Sequence, residues 1–191
     1  MSRTNLQLSG DELLDRLEDS FLAHGYRNVT FRSLAMDLGC SNRRLYEVAP
    51  SKEALFLTVI ARFFTRVKKA GWEKAKGEAP LIERIRDYLR VGIQAAQRAG
   101  PQFNADIEAI EAGRVLFDEF QRDRIDGLEA LIQEGIDAGD FGPFHAHLVA
   151  EVMVQSARRL RDPAFLSRSG LTFAEALTEL SKLLRNGLLR R

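Results

Sequence analysis

This sequence predicts an all-α protein: an N-terminal three-helix domain built on a helix-turn-helix, followed by a longer helical domain. Three observations carry that reading. Apolar residues recur at helical spacing along nearly the whole chain, with no convincing run of alternating β-branched residues. Hydroxyl side chains stand where helix starts need caps, and Gly or Pro where helices must stop. Two short helical segments are joined only by "LGCS", the layout of a helix-turn-helix.

The elements follow in order. Ser9-Gly10-Asp11-Glu12 fits a capping box, Leu13, Leu14, Leu17, Phe21 and Leu22 follow at helical spacing, and Gly25 ends the run. Thr30 caps a second short helix carrying Leu34, Ala35 and Leu38, stopped by Gly39. Ser41 caps a third through Val48, and Pro50-Ser51 starts a long fourth with Leu55, Phe56, Val59, Ile60 and Phe63. After the Gly- and Pro-containing loop 71–80, "GWEKAKGEAP", helices are expected over 81–99, 102–112, 114–139, 144–161 and 172–189. Gly100-Pro101, "GDFGP" at 139–143 and "RDPAFLSRSG" at 161–170 read as the breaks. A second capping box, Thr172 to Glu175, opens the last helix. The expected domains are residues 1–50 and 51–191, with the helix at 51–70 connecting them.

Composition narrows the classes. Across 191 residues, 45% hydrophobic and 29% charged content suits a soluble globular protein. No signal peptide and no membrane span is expected, because no long uninterrupted apolar run occurs; the expected compartment is the cytoplasm. The single cysteine, Cys40, excludes an intrachain disulfide and argues against a thiolate zinc site. His145 and His147 lack metal-ligand spacing; no Gly-rich phosphate loop and no nucleophile beside a base occurs. Asp106 with Glu108, and Asp118 with Glu119, read as surface helix positions. No enzyme, no cofactor and no metal is expected. The net charge of +1 hides an asymmetry: residues 1–70 hold 11 Lys+Arg against 8 Asp+Glu, the remainder 17 against 19. A more basic N-terminal segment is compatible with a phosphate-bearing partner.

The helix pair sharpens this. Ala35 is the small residue where the helices cross, Gly39 supplies a left-handed turn, and Cys40, Leu45 and Val48 are the apolar anchors. Ser41, Asn42, Arg43, Arg44, Tyr46 and Glu47 are then left facing outward. Arginine can grip guanine edges with two bonds and Asn can do so with adenine, and both bind phosphates. Thr30 and Arg32 at the start of the second helix, and Lys52 at the start of the fourth, stand at helix N-termini suited to phosphate.

The stretch "FRSLAMDLGCSNRRLYEVAPSKEAL" resembles the DNA-binding region of TetR-like transcriptional regulators, through its "A…LG.S" turn and its "LY…..SKEAL" signature. The resemblance implies a DNA-binding N-terminal domain and a C-terminal domain for effector binding and dimerisation. It implies a homodimeric, ligand-responsive regulator, a repressor on palindromic double-stranded operator DNA released by a small-molecule effector. Thr30, Arg32, Ser41, Asn42, Arg43, Arg44, Tyr46 and Lys52 become its DNA-contacting candidates. The chain departs from the family at "LYEVA", where Val48 and Ala49 stand in place of a frequent His and Phe. A core ring must then come from elsewhere, with Phe31 and Phe56 as candidates. The alternative is a helical scaffold whose helix-turn-helix no longer binds DNA specifically.

In the C-terminal part, Trp72, Tyr88, Phe103, Phe117 and Phe120 are candidate pocket rings, although such rings also serve as plain core. Leu148, Val152 and Leu160 on one helix, with Phe173, Leu177, Leu180 and Leu184 on the last, are candidates for an intermolecular four-helix interface. The competing reading is that these stripes close the chain's own core.

Overall fold

The computed structural model describes residues 8–188, which form ten helices and no strand. They are α1 (Gly10–His24), α2 (Phe31–Leu38), α3 (Asn42–Val48), α4 (Lys52–Ala75), α5 (Leu81–Arg98), α6 (Pro101–Ala109), α7 (Glu111–Asp137), α8 (Ala146–Leu160), α9 (Pro163–Ser169) and α10 (Phe173–Leu188). Among the described residues, no helix is long and apolar enough to cross a membrane. The expected extension of the last helix to 189 and the Leu188 side chain lie outside the described residues.

The caps form as the sequence dictates. Ser9 Oγ accepts from Glu12 N at 3.2 Å while Glu12 accepts from Ser9 N at 2.8 Å. Thr172 and Glu175 repeat the arrangement at α10 (3.2 and 2.7 Å). Thr30 does so with Ser33 (3.0 and 2.9 Å), so a hydroxyl replaces the usual carboxylate of the box. Replacing Thr30 by Ala strands the Ser33 N–H and should cost about 1 kcal/mol of stability, read by chemical denaturation.

The chain forms two compact units: Met1–Phe63 with Ala99–Arg114, and Phe64–Arg98 with Val115–Arg191. The first therefore extends past residue 50 and takes in α6. Its core joins Leu13, Leu17 and Phe21 of α1, Leu34 and Leu38 of α2, Leu45 of α3, Leu55, Phe56 and Ile60 of α4, and Phe103 and Ile107 of α6. Phe56 is the central ring, edge-on to Phe21 (5.3 Å) and Phe103 (5.8 Å) and stacked with Tyr26 (5.2 Å). Arg62 of α4 ties back to α1 through Asp15 (2.8 Å) and Glu18 (3.6 Å).

The second unit holds the rest of α4 and α7 with α5, α8, α9 and α10. Ile85 and Tyr88, Leu128, Leu131 and Ile132, Phe141, Met153 and Leu184 build its core.

Three expectations need correction. Residues 71–75, expected to begin a loop, continue α4 to Ala75. The stretch 161–170 is not merely a break: it contains α9. Pro163 occupies the first turn, where its missing N–H costs nothing, Asp162 accepts from Ala164 N at 2.8 Å, and Gly170 in the left-handed region ends the helix. Asp106 is not a surface position but fully buried. Its carboxylate accepts from the backbone N–H groups of Tyr26 (2.6 Å) and Arg27 (3.3 Å) and from Gln102 Nε2 (2.9 Å). Those donors compensate the buried charge.

Candidate functional site

The helix pair α2–α3 is positioned from its buried face outward. Leu34, Ala35, Leu38 and Leu45 are buried. Gly39 takes φ 67°, ψ 32°, a left-handed conformation that ends α2 without Cβ strain, and its N–H and that of Cys40 close onto Met36 O (3.2 Å) and Ala35 O (2.9 Å). Cys40, expected as a buried plug, is only half-buried, and burial raises its thiol pKa. Ser41 caps α3, accepting from Arg44 N at 3.2 Å.

With Leu45 turned inward, α3 presents Asn42, Arg43, Tyr46 and Glu47 at the surface and leaves Arg44 half-exposed. Glu47 binds both arginines: Oε1 accepts from Arg43 Nε at 3.3 Å and Oε2 from Arg44 Nη1 at 3.1 Å. The Arg44 bond, chiefly, holds the Glu47 carboxyl below its ordinary range, so it is ionised at neutral pH. Leu8, Leu13, Gly39–Ser41, Arg43, Arg44 and Glu47 line a cleft of about 790 Å³ beside this helix.

The flanking candidates divide. Arg32 is exposed in the first turn of α2, after Thr30. Tyr46 is 57% exposed, and its ring rests edge-on against Phe31 at 4.5 Å. Lys52 is half-buried instead of standing free: its ammonium donates to Val29 O at 2.7 Å and lies 4.8 Å over the Tyr26 ring. It ties the start of α4 to the loop before α2.

The pocket candidates also separate. Phe103 packs in the first unit with Phe56 and Phe63, because α6 belongs to that unit. The other four are in the second unit. Trp72 lies edge-on to Tyr88 (6.0 Å), Phe117 and Phe120 are 6.2 Å apart, and Phe64 stacks on Phe120 at 4.5 Å. Arg124 of α7, not singled out in the sequence, is buried among them. Its guanidinium lies 5.0 Å from the Tyr88 ring centre and 5.7 Å from that of Phe120, and Nη2 donates to Tyr88 O at 3.2 Å. The Tyr88 hydroxyl donates to Arg124 O, and burial pushes it up to about 12, so it stays protonated.

Of the interface candidates, Leu148 and Val152 stand 60% and 53% exposed on α8. Leu160, Leu177 and Leu180 are half-buried. Phe173 and Leu184 are buried within the second unit, and Leu180 packs against its core. Those three close the unit's own interior, because that face of α10 packs on α5 and α8. The outward apolar residue of α10 is Leu183, 71% exposed. A single stripe read from spacing cannot tell which of two adjacent leucines turns inward.

No family model matches the sequence, and no curated protein matches it. Solved structures do resemble the fold. A transcriptional regulator from Cytophaga hutchinsonii superposes with a TM-score of 0.75 at 15% identity, over 94% of this chain and 98% of that one. The TetR-family regulator PfmR from Thermus thermophilus gives 0.63 at 19% identity, over 94% and 100%. The reduced form of NemR from E. coli gives 0.70 at 19%, over 92% and 95%. At these identities the likeness is one of architecture, and it spans nearly the full chain with a helix-turn-helix in the expected place: this protein has the fold of the TetR-family transcriptional regulators.

Proposed function

We propose that the protein is a ligand-responsive transcriptional regulator, a repressor that binds palindromic operator DNA as a homodimer and lets go when a small-molecule effector binds. One observation carries the reading: α3 is anchored by Leu45 and capped by Ser41, and it offers Asn42, Arg43 and Tyr46 at the surface with Arg44 half-exposed beside them. Those side chains supply donors for base edges and phosphates. Thr30 and Arg32 extend the phosphate-facing set at the start of α2. The fold neighbours support a regulator and not an enzyme. Selection of bound fragments from random and genomic DNA at fixed salt should return a two-fold symmetric motif. Weak binding indifferent to sequence would reject the reading. It would favour the scaffold alternative, for which the pairing of Glu47 with both arginines speaks.

Dimerisation belongs to this reading, because two reading helices must sit about 34–36 Å apart to meet successive turns of DNA. Leu148 and Val152 of α8, one turn apart, and Leu183 of α10 are the apolar surface proposed to meet a second copy. Leu148→Asp combined with Val152→Asp should convert a dimer at micromolar concentration to a monomer that still melts cooperatively but at a lower, concentration-independent temperature, measured by sedimentation equilibrium and thermal melting. The effector acts by binding more tightly to the form that holds DNA poorly. Cytoplasmic location follows from this activity.

A further inference from the structure

The second unit contains a cation that its fold leaves uncompensated. Arg124 is 7% exposed, and its Nη1, fully buried, has no hydrogen-bond partner. Among the described residues no carboxylate pairs with it. Asp123, its neighbour in sequence, points to Lys68 at 2.5 Å, and the guanidinium instead meets the Tyr88 carbonyl and two aromatic faces. Arginine does not shed its proton at physiological pH, so the charge is present. Placing it here without a counter-ion is strongly unfavourable for a purely structural residue.

The surroundings are shaped around it. A Cβ on Gly92 of α5 would come within 2.8 Å of the guanidinium carbon and of both its terminal nitrogens, so the group lies flat on the glycine backbone. A Cβ on Gly127, one turn along α7 from Arg124, would meet Tyr88 Oη at 2.7 Å and Trp72 Cζ2 at 2.8 Å. Glycines on two helices thus admit the guanidinium and the rings beside it.

We propose that Arg124 is the anchor of the effector site and that the effector is a small organic carboxylate with an apolar body, its carboxylate on the guanidinium and its body against Trp72, Tyr88 and Phe120. A planar guanidinium presents parallel N–H donors that match the two oxygens of a carboxylate. The single charge of a carboxylate is the charge that one guanidinium balances. The proposal rests on the effector-responsive reading, but its test involves no DNA.

Trp72 is the only tryptophan and touches the Tyr88 ring, so its fluorescence reports on the site directly. The full-length protein is titrated with benzoate, phenylacetate and octanoate and with the three matching amides, following Trp72 emission and melting temperature. At least one acid should bind about tenfold or more tightly than its amide. Arg124→Met should abolish that preference while melting no lower than the parent, since it removes an uncompensated buried charge. Arg124→Lys keeps the charge without the fork and should weaken the acid about tenfold. Equal binding of acids and amides, no binding by any of the six, or an unchanged preference in Arg124→Met overturns the proposal. Should Arg124→Met fail to fold, unchanged acid affinity in Arg124→Lys overturns it instead. Loss of operator binding in a separate assay would sink the regulator reading and leave these titrations standing.

Discussion

Replacing Asp106 by Ala is expected to lower stability by about 2–4 kcal/mol, because it removes a fully buried acceptor and strands the backbone donors that bind it. The carboxylate is completely buried and binds the turn after α1 through Tyr26 N and Arg27 N. It also faces Arg27 Nε at 3.4 Å and is steadied by Gln102 one turn back on α6. The substitution strands two backbone donors at once, and a stranded buried donor costs about 1–3 kcal/mol. Gly25 explains why the turn can approach so closely. It takes φ 71°, ψ −178°, a region open essentially to glycine, and a Cβ there would fall 2.4 Å from Asp106 Oδ2. Gly25→Ala should therefore be destabilising for strain and for clash together. Asp106→Asn keeps the acceptor facing Tyr26 and Arg27, so it should cost distinctly less than Asp106→Ala. Guanidinium denaturation of the three variants checks the order; an Asp106→Ala variant as stable as the parent would show that α6 does not hold the turn.

How much of this was legible in the sequence follows from the range of the interactions involved. Helix starts and stops were readable because a cap is a contact between residues three apart: Ser9 with Glu12, Thr30 with Ser33, Thr172 with Glu175. The turn at Gly39 was readable for the same reason. α9 was obscured because Pro163 signals a stop in a helix interior and a start in a first turn, and only the Asp162 cap distinguishes the two. The burial of Asp106 could not be read, since its partners lie some 80 positions away. Arg124 has the same difficulty: its neighbour Tyr88 is 36 positions distant. On a helix an isolated Asp or Arg belongs by default to a solvated face, and only tertiary packing contradicts that. The α10 stripe failed more subtly. Its spacing was right, but Leu184 turned inward and Leu183 outward.

Arg43→Ala and Arg44→Ala should each weaken operator binding by about 1–3 kcal/mol without loss of helicity, whereas Glu47→Gln should strengthen it. The asymmetry comes from the pairing on α3. Arg43 lies one turn and Arg44 just under one turn from Glu47, and each gives a donor to its carboxylate. Before either can address DNA, that bond must be exchanged for one to a base edge or phosphate. The carboxylate would also stand close to the phosphate backbone, where like charge opposes approach. Because Arg44 and Arg43 hold the Glu47 carboxyl below its ordinary range, its ionised form is favoured in the folded chain. The sign follows: the stabilisation is complete above the ordinary carboxylate range and disappears as pH falls through the lowered value. At neutral pH the carboxylate is therefore charged, and an amide substitution is the way to remove its charge without removing its shape. Glu47→Gln frees donors on both arginines and should raise non-specific affinity and steepen its salt dependence as well. What separates a specificity role from simple repulsion is the ratio of operator to non-operator binding at one salt concentration. If Glu47 selects by accepting from a cytosine amino group, the ratio falls in Glu47→Gln; if it only repels, both affinities rise together and the ratio holds. Unchanged operator affinity in Arg43→Ala and Arg44→Ala alike would move the reading surface off α3.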